Sequence, residues 1–186
     1  MPHVPQMATK DRMTVADYKR LPEGAPYQLV GGEFVLTPAP RPLHQVVSGR
    51  IFRLISGYIE DRRLGVVLYA PVDVYLGEED AYQPDLLYIS AERQNLITED
   101  GVHGAPDLVI EILSPATAYY DLRTKFRAYR ESGVREYWVV DPGEKVVEVY
   151  SNHGGHFATL GSFKKHDKLV SQVLSGLEIE VSDIFS

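Results

Sequence analysis

The sequence predicts a mixed α/β (α+β) fold, with a mixed β-sheet flanked by helices and β-hairpin additions at the N- and C-terminal ends. Three observations carry this. A long helical repeat of apolar residues, Val47, Ile51, Leu54, Ile55, Tyr58 and Ile59, precedes several strand-like runs. One of these, Asp107-Leu-Val-Ile-Glu-Ile-Leu113, is apolar on both of its alternating faces, as in a strand covered on two sides. The element order is helix, hairpin, long helix, three strands, helix, strands. It lacks the regular βαβα alternation of a doubly wound nucleotide-binding fold.

The elements follow in order. Thr14 with Asp17 three residues on resembles a helix N-cap, which predicts a short helix over residues 15–20. Tyr27–Val30, Gly31-Gly32 and Glu33–Leu36 read as a β-hairpin. The proline-rich segment 37–42 is a rigid loop, and the long helix covers 43–63. The run Gly65 to Leu76 predicts one long strand, with Pro71 marking an edge position or a bulge. Residues 83–89 form another strand. Residues 105–113 are the most apolar strand and therefore the central one. A helix over 121–132, with the stripe Leu122, Phe126 and Tyr129, closes at Gly133. Residues 136–141 and 145–150 pair across Pro142-Gly143. The tail, 156–186, reads as short strands, with breaks at Gly154-Gly155 and Ser175-Gly176.

The chain has 186 residues, the size of one domain. Its first stretch, residues 1–12, is polar and carries prolines, which predicts a flexible arm before a single domain over 13–186. The composition, 44% hydrophobic and 24% charged, is that of a globular protein. No cysteine is present, which excludes disulfides, thiolate zinc sites and cysteine nucleophiles and suits a reducing compartment. No signal-peptide pattern and no run of ~18–20 apolar residues is seen, so the cytoplasm is expected and a membrane is not. The net charge of −7 argues against a surface coated for nucleic acid but leaves room for a local basic groove.

Glu111 is the residue that calls for chemistry. An ionised carboxylate between two apolar faces loses its hydration at a cost of several kcal/mol. It needs a cation, a charged partner or a wet cleft. Two readings fit: a metal or catalytic site, or a salt bridge to a buried Arg or Lys. Asp107 shares its strand and face, but four residues at ~3.3 Å put the two Cα atoms about 13 Å apart. Asp85, after Pro84 at the start of a second apolar strand, converges with Glu111 if the two strands are neighbours. Two carboxylates, a backbone carbonyl and waters suit Mg²⁺ or Mn²⁺. Lys125 flanks the buried stripe of its helix. Its ammonium can reach a cleft and stabilise charge on a phosphate, or pair at i,i+4 with Asp121.

Tyr27-Gln-Leu-Val-Gly-Gly-Glu33, Pro42-Leu-His44, Gln83-Pro-Asp85, Pro106-Asp-Leu-Val-Ile-Glu-Ile-Leu-Ser-Pro115, Asp121 with Lys125, and Gly133-Val-Arg-Glu-Tyr-Trp-Val-Val-Asp-Pro142 occur in this order. Together they resemble the restriction-endonuclease-like family of the PD-(D/E)XK nuclease superfamily, over about residues 13–150. The resemblance implies a restriction-endonuclease-like core in which Asp85 and Glu111 hold the metal. The superfamily's lysine usually stands two residues after the second acid, where this chain has Leu113. The resemblance implies that Lys125 replaces it from the following helix. It also adds Glu33 as a further acid and His44 as a phosphate or water contact; a solvated Glu33 and a helix-capping His44 fit their positions as well.

The expected function is therefore a Mg²⁺- or Mn²⁺-dependent endonuclease hydrolysing DNA phosphodiesters, with no organic cofactor and acting as a homodimer. Arg50, Arg53, Arg123 and Arg127 are candidate backbone contacts. The alternatives are a non-catalytic DNA-binding or interaction module on the same fold, or a hydrolase of a smaller phosphoester. Trp138, Tyr137 and Ser114-Pro115 read as structural, and Tyr119-Tyr120 as packing or a base-stacking pair.

Overall fold

The computed structural model describes residues 12–114 and 118–186, with the helix backbone alone over 118–121. In chain order it contains α1 (Val15–Tyr18), β1 (Tyr27–Val30), β2 (Glu33–Leu36) and the long helix α2 (Pro42–Arg62). Then come β3 (Gly65–Tyr69), β4 (Val74–Tyr75), β5 (Ala81–Tyr82) and β6 (Leu86–Ser90). A 3-10 turn (Ala91–Leu96) leads to β7 (Ile97–Thr98), β8 (Gly101–His103) and β9 (Leu108–Ile112). The rest is α3 (Ala118–Ser132), β10 (Glu136–Asp141), β11 (Val146–Asn152), β12 (Phe157–Phe163), β13 (Lys168–Val170), β14 (Glu178–Glu180) and α4 (Val181–Phe185).

The core sheet has the order β12-β11-β10-β9-β6-β3, and a second sheet the order β2-β1-β5-β4-β8-β7. β9 lies inside the core sheet, antiparallel to β6 and parallel to β10. Its alternation explains the cover on each side. Leu108, Ile110 and Ile112 pack with Val47, Ile51, Ile55 and Ile59 of α2, while Val109 packs with Tyr129 of α3. A parallel pair needs a crossover connection, and α3 supplies it between β9 and β10. The helix therefore returns over the face from which Glu111 projects.

Several sequence expectations are met closely. The β1–β2 hairpin has the predicted bounds, and Thr14 and Asp17 form a full capping box at 3.3 Å and 3.0 Å, although α1 stops at Tyr18. The run from Gly65 to Leu76 is a correction. It is two strands, not one, because the ladder ends before Pro71, which has no N–H to donate, and the chain passes to the other sheet. The hairpin is accordingly part of a six-stranded sheet rather than an appendage. The 3-10 turn, β7, β8 and α4 have no counterpart in the sequence reading. Residues 1–11, Pro115 and the side chains of Tyr119, Tyr120 and Asp121 lie outside what the structure describes.

Two buried carboxylates pin this frame. Glu136 accepts the Trp138 indole N–H at 2.7 Å and the amides of Gln172 and Val173, tying the tail to β10. Asp107, fully buried at the start of β9, accepts the Ser90 amide at 2.8 Å, Arg93 at 2.8 Å and Arg135 at 2.9 Å. Asp107 is thus a structural anchor and no partner of Glu111. Burial by itself raises the Asp107 carboxyl, but the Ser90 amide and the Arg93 guanidinium outweigh it and hold the group below 3.8. A lowered native value means that the stabilisation is complete above the unfolded value and is lost as pH falls through the native one. Asp107→Asn is expected to lower unfolding free energy by about 2–3 kcal/mol at pH 7. The deficit should shrink toward pH 2–3 in urea titrations monitored by Trp138 fluorescence.

Candidate active site

Glu111 is 7% exposed, in the middle of a wholly buried strand. Its oxygens are satisfied from one helix. Lys125 Nζ donates to Oε2 at 2.9 Å and the Tyr129 hydroxyl donates to Oε1 at 2.7 Å. Lys125 and Tyr129 are four apart on α3, so they share a face and reach the same group. In the sequence, Tyr129 reads only as part of the apolar stripe. The signal available was its i+4 spacing from Lys125.

Asp85 sits immediately before β6. The register Leu86↔Ile110 and Leu87↔Val109, continued by one residue, sets Asp85 across from Glu111. Directly opposed residues share a face, with Cα atoms about 4.5–5.5 Å apart. Asp85 Oδ2 accepts the Ile112 amide at 2.7 Å and lies 3.1 Å from His44 Nε2. His44, in the first turn of α2, is therefore a partner of Asp85. Its Nδ1 is buried with no hydrogen-bond partner among the described residues.

The structure thus brings Asp85, Glu111, Lys125 and His44 into one linked set. It does not bring Glu33 into it. Glu33 is opposite Val30 in the hairpin, but it is exposed and its side chain makes no hydrogen bond or ion pair among the described residues. Leu113, where the usual lysine would stand, is half-buried against the Val109–Tyr129 cluster. A cleft of about 520 Å³ opens beside His44, Leu113 and Ser114, with Arg41, Asp141 and Glu144 on its walls.

The chemistry of the set fits a hard divalent ion. Among the described residues, no three His, Asp or Glu side chains converge as a ready ligand group. Two opposed carboxylates are nonetheless the usual protein share for Mg²⁺, which keeps most of its waters. Both hydrogen bonds to Asp85 fall on Oδ2, leaving Oδ1 with none among the described residues. Each Glu111 oxygen has a second lone pair.

The model of the Uma2 family, described as "Putative restriction endonuclease", matches residues 15–182. The chain belongs to the Uma2 family. A curated relative, "Uncharacterized protein sll1609" of Synechocystis sp., is 26% identical over 152 residues, covering 80% of this chain and 85% of the relative. A crystal structure of an Anabaena variabilis ATCC 29413 protein, described as a putative nuclease belonging to DUF820, superposes with a TM-score of 0.77. It is 22% identical and covers 93% of this chain and 97% of that one. That likeness shows that the two chains share one fold, the mixed α/β arrangement expected from the sequence.

Electrostatics make the site proton-sensitive. Burial, opposed by Lys125 and assisted by the Asp85 charge, pushes the Glu111 carboxyl up to about 7. The Asp85 hydrogen bond, opposed by burial, raises the His44 imidazole above 6.5. Both native values exceed the unfolded ones, so the folded protein binds more protons in this range. The stabilisation is complete below the unfolded values and is lost as pH rises through the native ones. Unfolding free energy without metal is expected to fall by roughly 1–3 kcal/mol between pH 5 and 8. Glu111→Gln should flatten that slope up to pH 7, and His44→Gln the part that begins near pH 6.5, in urea titrations at each pH.

Proposed function

We propose that this Uma2 protein is a divalent-metal-dependent endonuclease that hydrolyses DNA phosphodiester bonds. The observation that carries the reading is the buried Glu111 carboxylate, bonded to the helix-borne Lys125 and set across from Asp85. Asp85 and Glu111 would hold Mg²⁺ or Mn²⁺, which would supply a water of lowered pKa and polarise the scissile phosphate. Lys125, 2.9 Å from Glu111, is positioned to turn its ammonium to a phosphate oxygen as charge builds there. Tyr129 keeps Glu111 in place while Lys125 moves. His44 holds Asp85 through Nε2. Glu33, exposed on β2 and outside this set, has no part in the reading.

Duplex contact falls to the exposed Arg53, Arg123 and Arg127. Arg50 does not join them, since it is half-buried and donates to the Ile184 carbonyl at 3.4 Å. A two-fold homodimer would present two sites for the two strands. The domain is taken as residues 13–186, and its cysteine-free composition suits the cytoplasm.

Purified protein is expected to nick plasmid DNA with Mg²⁺ or Mn²⁺ and to stop with EDTA. Asp85→Ala and Glu111→Ala should abolish cleavage, and Lys125→Ala should lower it about 10²–10³-fold. Absence of cleavage with either ion, or activity surviving Glu111→Ala, overturns the reading. The second reading, a non-catalytic DNA-binding module, is favoured by the closure of both Glu111 oxygens on protein donors. Mn²⁺ calorimetry separates the two: the enzyme binds the ion and loses it in Asp85→Ala. Arg123→Ala with Arg127→Ala is expected to reduce the slope of log K against log salt for DNA by about 1–2, each phosphate contact contributing about 0.9.

A further inference from the structure

We propose that Gln28 is a positioning residue for Asp85, acting through the Gln83 backbone; the inference rests on the reading of Asp85 as a metal ligand. Residues 83–85 cross from β5 in the second sheet to β6 in the core sheet, so they lie outside both ladders. A ligand on such a crossing needs to be held by something other than strand pairing. Mg²⁺ demands near-ideal octahedral geometry, and a productive site tolerates displacements of only about 0.5 Å.

Gln28 supplies the hold. It is a polar residue 7% exposed in β1, and its Oε1 accepts the Gln83 N–H at 3.0 Å. A backbone N–H can only donate, which fixes the orientation of the Gln28 amide. Its Nε2 then donates to Thr37 Oγ1 at 3.2 Å. The Gln83 side chain is clamped separately, donating to Asp73 Oδ1 at 2.9 Å. Beyond it the chain passes through the buried Pro84, whose φ is fixed by its ring. At the far end the Asp85 carbonyl accepts the Ala70 amide at 3.0 Å. Gln28 therefore fixes the backbone two residues before the carboxylate that meets Ile112 N and His44. The hairpin of Tyr27–Leu36 thereby gains a part in the site that Glu33 does not provide.

The test uses the full chain, with Mn²⁺ calorimetry, urea unfolding, and the Ile112 amide proton resonance in metal-free protein. That resonance reports the 2.7 Å bond to Asp85 Oδ2. Gln28→Leu removes the acceptor, and Gln28→Glu keeps an acceptor oxygen. Thr37→Ala removes only the other end of the Gln28 amide's bonding. Gln28→Leu is expected to weaken Mn²⁺ binding 10–100-fold, the usual effect of losing a group that orients a ligand, and to shift the Ile112 amide. Gln28→Glu should recover both. Thr37→Ala should leave Mn²⁺ affinity unchanged even if it lowers the urea midpoint as Gln28→Leu does, which separates positioning from general stability. If Gln28→Leu binds Mn²⁺ like wild type while Asp85→Ala does not bind, the inference is overturned and the metal reading stands. Wild-type protein that binds no Mn²⁺ sinks the metal reading; an unmoved Ile112 resonance in Gln28→Leu then overturns the positioning role as well.

Discussion

The carboxylate of Glu111, buried in a sheet that is covered on both faces, has two oxygens that bulk water barely reaches. Lys125 and Tyr129 serve them instead, and much of the surrounding architecture follows from that need. The donors must come from the element lying over the Glu111 face of β9. That element is α3, the crossover that the parallel β9–β10 pairing requires in any case. One connection thus answers a topological demand and an electrostatic one. It also explains why Leu113 can be apolar: the cation arrives from above the sheet, so the strand need not carry it.

Asp85 is held by a different logic. Glu111 is built into a ladder, whereas Asp85 stands just outside one, where the chain leaves the second sheet for the core sheet. Its carboxylate is steadied from three directions: the Ile112 amide of β9, the His44 imidazole of α2, and the backbone clamp reaching back to Gln28. The pair therefore combines one carboxylate fixed by burial with one fixed by hydrogen bonds near the surface of a cleft. Their mutual repulsion contributes to the raised proton affinity of Glu111 and is the kind of strain a divalent cation relieves.

Much of this was legible in the residues, for reasons that can be named. The four-residue spacing of Val47, Ile51, Ile55 and Ile59 reports a helix face directly, and the two apolar faces of β9 report its double cover. The β1–β2 hairpin was readable because Gly31-Gly32 interrupts two short alternating runs. Helical projection was enough to turn Lys125 toward the buried stripe. What stayed hidden depended on long-range pairing. The split of 65–76 between two sheets needs partners far away in sequence. The short strands around residues 97–103 are too brief to show a period. Tyr129 was concealed because its ring belongs to the core while only its hydroxyl belongs to Glu111. His44 could be placed at a helix start but not against Asp85, since 41 residues separate them.

The anchoring of Asp107 has a meaning for the site four residues further on. A strand can shift along its neighbours by one residue at little cost in hydrogen bonds, yet such a slip turns every side chain to the opposite face. In β9 it would swing Glu111 away from Lys125 and into the aliphatic layer of α2. Arg93, Arg135 and the Ser90 amide grip the first carboxylate of the strand like a stop on a sliding scale. The acid that takes no part in the chemistry is what keeps the chemical acid in phase with its helix.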